Sequence, residues 1–384
     1  MLGIDTIIIT LHHHEFAILR PWEFTPNSNR IIKLEPQDMG KGKYMQATRN
    51  PSKKDTQIAG YLPCITLYKA LRSNGLVVEL RIQFSAPKLV YGNNFDELLE
   101  TDFIIVRQKL FAGLKYYGIQ LFKGIDTLDN ARVSTIHFAK NFPLDNLMTA
   151  HEAVKEIKKC DVNSWRDVSQ SDYVNNGHGF KTHSKYYELA FYDKFAEYTK
   201  SLRNQPVFDK DIQLQLNLFG DNLAQYHQDI LRMEARLNNA RAIQSVLKKS
   251  GFEGNAVTLS SLCQKDLSQA VLKQQLDEMY SRYPIISNST ADEPFSLFSE
   301  LYVKNPNKSI TTILSAIGAK YLYQELGTRE LKDIVGPRGS KALLRQTNKI
   351  NTELEYRSEK PEIFQLLYMQ LDRFEPVRVS NFLQ

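Results

Sequence analysis

The residues best suited to chemistry lie at the end of Ser184 to Lys194, SKYYELAFYDK, where Tyr192 is followed by Asp193 and Lys194. Alternation at period two puts Tyr187, Leu189 and Phe191 on one face of a strand and Tyr186, Glu188, Ala190 and Tyr192 on the other. Tyr187 then belongs to a core. Tyr192 stands on the polar side, where the pattern changes to the helical spacing of Phe195, Tyr198 and Leu202, so a strand-to-helix junction is expected to present it. A phenol with a pKa of about 10 is a poor nucleophile at neutral pH. A nearby base, cation or metal must favour the phenolate before it can act as a nucleophile, and Lys194 is placed to help. A lone tyrosine in a β-rich segment is more often a packing residue.

The elements that must position this tyrosine follow from periodicity. Ile4 to Leu11 is a β-branched strand running into His12, His13 and His14. On a strand His12 and His14 face one way and His13 the other, so three histidines cannot converge on one ion; a solvated strand end or a His12 and His14 pair is left. Leu76 to Phe84 alternates with Val78, Leu80, Ile82 and Phe84 inward and Glu79, Arg81 and Gln83 outward. A helix over Leu99 to Leu114, stopped by Gly118, packs on it. In Arg132 to Phe138, Ile136 and Phe138 share a face, and His137 points oppositely with Val133 and Thr135. A helix over Leu144 to Lys159 follows. Ile230 to Leu237 turns Leu231, Met233, Ala235 and Leu237 inward and Arg232, Glu234 and Arg236 outward, and Asn239 caps a helix over Ala240 to Lys249. Residues 21 to 60, with their prolines, glycines and lysines, read as a basic, loop-rich excursion, and residues 200 to 220 as a polar insertion.

A chain of 384 residues exceeds one ordinary core, and 42% apolar with 24% charged residues is a soluble globular composition. A net charge of +6 and abundant aromatics favour a polyanionic partner. Three cysteines, Cys64, Cys160 and Cys263, without metal-ligand spacing point to a reducing compartment, and no signal peptide or membrane span is legible, so a cytoplasmic protein is expected.

The chain changes character in YPIISNSTADEPF. We expect an α/β, mainly antiparallel domain over residues 1–285, a linker over 286–302 and an all-helical domain over 303–384 of helix-turn-helix or winged-helix type. There Ser309 to Glu325 is a helix, Thr328 caps a short one to Val335, and after GPRG a third runs from Ser340 to Leu354. Its buried stripe is Leu343, Thr347, Ile350 and Leu354, while Lys341, Arg345 and Lys349 recur on another side. Eleven Lys or Arg against six Asp or Glu between Lys304 and Lys360 make that face a candidate phosphate contact.

SKYYELAFYDK, LRMEARL with the helix after it, and FSAPKLVYGNNFDEL at residues 84–98 together resemble the gene II/X family of phage and plasmid replication proteins, whose type member initiates rolling-circle replication of filamentous phages. The resemblance implies an HUH-like nicking domain that cuts one strand of a double-stranded origin, stays on the 5′ phosphate through a tyrosine, leaves a 3′-OH primer and later rejoins the displaced strand. It places the nucleophile on Tyr192, an acidic family position on His137, and an RFEAR-like motif on Glu234 of RMEAR. A third metal ligand falls on Glu79, unless that position aligns with Arg81. The His, bulky apolar, His triplet of many rolling-circle initiators is absent from this chain. The implied cofactor is Mg²⁺ or Mn²⁺. The implied partners are origin DNA, as duplex and displaced single strand, and a host helicase and polymerase, with no membrane. The rivals are a sequence-specific DNA-binding protein that does not cut and a tyrosine transposase or relaxase.

Overall fold

The computed structural model describes residues 1–27, 43–73, 75–144, 147–161, 173–174, 179–184, 187–194, 197, 229–291 and 293–378. Its strands are β1 (Ile4–His12), β2 (Phe16–Ile18), β3 (Thr25–Pro26), β4 (Tyr44–Arg49), β5 (Cys64–Arg72), β6 (Gly75–Ser85), β7 (Ile119–Leu121), β8 (Arg132–Pro143), β9 (Tyr173–Val174), β10 (Gly179–Ser184), β11 (Tyr187–Asp193) and β12 (Ile230–Leu237). Among the described residues ten of them form one antiparallel sheet in the order β3-β4-β5-β6-β1-β8-β12-β11-β10-β9, and β2 pairs with β7 beside it. The class is therefore α+β with a large antiparallel sheet.

The five central strands, β6, β1, β8, β12 and β11, are the five expected from sequence. Their apolar sets meet face to face: Ile7 opposite Phe84 and Ile136, Phe138 opposite Ala235, and Met233 opposite Phe191. Helices Phe103–Tyr116, Ala150–Ile157, Ala240–Lys249, Lys265–Tyr280 and Glu362–Arg373 join this core through residues such as Leu110, Val154, Ile243, Leu272 and Leu367, all essentially inaccessible. Asn239 caps as expected, its side chain accepting from Ala242 N. Val133 departs from simple alternation. A register shift between Ile8 and Ile9 turns it into the core, while Thr135 and His137 keep the opposite face.

Between residues 43 and 60, where a loop was expected, stand β4 and the helix Lys53–Ala59, started by a reciprocal cap between Ser52 and Asp55. β4 carries no apolar alternation, and its pairing with β5 supplies what its sequence does not. The helix expected from Leu144 begins at Ala150, where Thr149 and Glu152 cap it.

The expected linker is built into the helical unit. A second core takes Ile286, Leu297, Leu301, Ile313, Tyr323, Ile350 and Leu354, the first three of them from the expected linker. The helical run Ile310–Glu353 is broken at Gly327 (φ 69°) and Gly336 (φ 68°), giving the three expected segments. The last helix, Glu362–Arg373, leaves this unit and returns to the sheet, where the Met1 amino group donates to Phe374 O and Val377 N donates to buried Glu97. Glu97 also meets Lys140 Nζ at 3.0 Å, and so ties the tail to β8. No described helix is long and apolar enough to cross a membrane.

Candidate functional site

On the sheet face opposite the core, β8, β12 and β11 carry His137, Glu234 and Tyr192. Directly across from Glu234 stand two alanines, Ala139 on β8 and Ala190 on β11. These short neighbours leave room for the longer side chains at the diagonal positions. Tyr192 and His137 lean in from either side, the Tyr192 hydroxyl donating to Glu234 Oε2 at 3.0 Å and His137 Nδ1 lying 3.0 Å from Oε1. Against a carboxylate, Nδ1 is the donor.

Two arginines flank the carboxylate along β12. Arg236 donates to Glu234 Oε2 at 2.9 Å and pairs with Glu188. Arg232, the register partner of Tyr192, is held at 3.2 Å by Asp5 Oδ2 and donates to Asn141 Oδ1 at 3.0 Å. Burial by itself would raise the Glu234 pKa. The hydrogen bond from His137 and the charges of Arg236 and Arg232 outweigh it and hold the group ionised, well below the usual carboxylate range. Burial, and next the charge on Glu234, push the Tyr192 phenol well above its ordinary value, with Arg232 opposing. The resting site thus stabilises a neutral phenol against an ionised acid.

Lys194 follows β11, with its Nζ 2.8 Å from Glu197 and 5.8 Å from the centre of the Tyr192 ring. Burial, with Arg232 adding to it, lowers its pKa. Tyr186, Phe195, Tyr198 and Leu202 lie outside the described residues.

Glu79 does not join this group. It sits opposite His12 on β1 and Tyr68 on β5, 3.4 Å from Arg81, and the pairing of β6, β1 and β8 places it on the order of 20 Å from His137. Among the described residues no three His, Cys, Asp or Glu side chains gather to hold a metal. The expected three-ligand set therefore does not fit as one site. Of the expected ligands His137 and Glu234 alone lie together, bonded to each other at 3.0 Å. The rings of His12 and His14 stack at 6.0 Å instead of converging with a third donor.

Lys341, Arg345 and Lys349 are exposed on the last segment of the helical run, opposite Ile350 and Leu354 in the second core. The Asp5, Asn141 and Arg232 cluster was not anticipated from sequence. Its signal was an acid among isoleucines and an arginine between Leu231 and Met233, charges that a sheet interior tolerates only in partnership.

Residues 65–253 match the family model Phage_CRI, which describes the N-terminal part of the gene II replication-associated protein. The match contains Glu79, His137, Tyr192, Lys194 and Glu234, and leaves out β1 and the helical unit. Neither the curated proteins nor the solved structures searched contain a match. The match over this segment supports a gene II-type phage replication protein.

Proposed function

We propose that this protein nicks one strand of a double-stranded origin through Tyr192 and later rejoins the displaced strand. The observation that carries the reading is the contact of Tyr192 with a carboxylate that also binds a histidine. In the forward step the Tyr192 oxygen bonds to the scissile phosphorus and the bond from phosphorus to the 3′ oxygen breaks. The phenol proton ends on the leaving 3′-OH, by way of Lys194 or water. Attack by a 3′-OH on the phosphotyrosine reverses these changes and joins ends, so one phosphodiester is exchanged for another and no ATP is consumed. Glu234 orients the hydroxyl, His137 holds Glu234, and Arg232 and Arg236 supply fixed positive charge beside the reacting phosphate.

His137 and Glu234 would hold Mg²⁺ or Mn²⁺, which supplies charge to polarise the phosphate and favour the phenolate. In this reading the sheet domain is HUH-like in role. The three helical segments act as a helix-turn-helix unit that lays Lys341, Arg345 and Lys349 on duplex phosphates. A host helicase and polymerase would then act from the freed 3′-OH.

The test is supercoiled plasmid carrying candidate origins, incubated with the protein and Mg²⁺ or Mn²⁺. Open circles and a covalent protein–DNA adduct are expected, both absent with Tyr192→Phe while binding persists. An adduct that survives in Tyr192→Phe would move the nucleophile to Tyr186. Binding without any adduct would make the protein a non-cutting origin binder.

A further inference from the structure

The sheet face that carries Tyr192, Glu234 and His137 continues past β8 onto β1, β6, β5 and β4. Register sets Thr10, Arg81, Thr66 and Thr48 in one row across these strands and His12, Glu79, Tyr68 and Gln46 in the next. The Arg81 guanidinium lies 5.1 Å from the centre of the Tyr68 ring, and that ring lies 5.1 Å from Tyr44. Arg81 keeps 49% of its side chain exposed, so the outer side of this stack faces solvent.

We propose that Arg81 and Tyr68, backed by Tyr44, form a stacking subsite for single-stranded DNA that crosses this face of the sheet from the Tyr192 site. The inference rests on the reading of Tyr192 as a DNA nucleophile. Arginine planes and aromatic rings are the groups on which unpaired bases stack, whatever their sequence. Between the stack and the nucleophile the face carries Gln83, exposed, and Thr135, partly exposed, side chains suited to sugar and phosphate contacts. A protein partner would instead need an apolar, aromatic-rich centre. Duplex DNA offers no free base to the stack.

The experiment uses the full chain carrying Tyr192→Phe, so that cleavage cannot contribute, and fluorescence anisotropy with labelled oligothymidylate of about 20 nucleotides and a duplex of equal length. Tyr68→Ala combined with Arg81→Ala is expected to weaken single-strand binding roughly tenfold and to leave duplex binding nearly unchanged. Arg81→Gln alone removes an exposed side chain and leaves the sheet in place; a loss of roughly threefold is expected. Unchanged single-strand affinity in Arg81→Gln overturns the proposal. An equal loss on duplex also overturns it, since Arg81 would then be a general phosphate contact. The nucleophile is judged separately, by adduct formation with Tyr192 intact, so the two readings can fail independently.

Discussion

The Tyr192 hydroxyl donates to Glu234 Oε2 across 3.0 Å, on a carboxylate whose other oxygen meets His137. Three strands thereby join one phenol, one acid and one imidazole. The acid is ionised and the phenol is held neutral.

Glu234→Gln preserves shape and removes the charge. Adduct formation should collapse, with partial rescue by Mn²⁺ over Mg²⁺, because Mn²⁺ tolerates nitrogen and neutral ligands better. Glu234 is also the buried counter-charge of Arg236, so urea unfolding should show a loss of about 1–3 kcal/mol. Full activity in the variant would reduce Glu234 to a structural ion-pair residue.

Lys341, Arg345 and Lys349 replaced together by alanine should lower the slope of log duplex affinity against log salt by up to about three, since fewer counterions are released. Folding should survive, as all three are exposed. Cleavage of a single-stranded origin oligonucleotide should persist. If the salt slope is unchanged, duplex contact falls instead to the basic residues between 40 and 54.

The two glycine breaks of the helical run differ in what a side chain would meet. At Gly327 an added Cβ would lie 2.8 Å from Lys159 Cα, whereas at Gly336 nothing lies within 4 Å. Both have φ near 70°, so alanine strains the backbone by about 1–3 kcal/mol at either position. Gly327→Ala adds a clash with backbone and should lower the melting temperature further than Gly336→Ala. Equal shifts would show that the contact with Lys159 can relax.

Asp55 caps the helix Lys53–Ala59 from within and meets Arg49 Nη1 at 3.0 Å. Its hydrogen bonds from Ser52, with further help from Arg49 and Tyr116, hold its pKa far below the usual carboxylate range. A depressed folded-state pKa stabilises above the unfolded value of about 4, and that contribution is lost as pH falls through the folded value. Asp55→Asn should therefore cost about 1 kcal/mol near pH 7 and progressively less in strong acid, read by urea unfolding across pH. A pH-independent difference would leave the loss to packing alone.

Local patterns in the sequence determined which residues share a face. Strict alternation in β6, β11 and β12 assigned Tyr192, Arg232, Glu234 and Arg236 to the polar side, because side chains alternate every residue whichever strand lies alongside. Asn239, Thr328 and the run GPRG marked helix limits for equally local reasons, a cap that satisfies a free N–H and a backbone angle that favours glycine. Tertiary structure alone decided which faces meet. His137 and Glu234 are 97 residues apart and touch because β8 pairs with β12, while Glu79, equally polar and equally well placed on its own strand, was carried away by the pairing of β6 with β1 and β5. The return of Glu362–Arg373 to the sheet was hidden for the same reason. An amphipathic helix specifies that it must bury one stripe, not which of two cores will receive it.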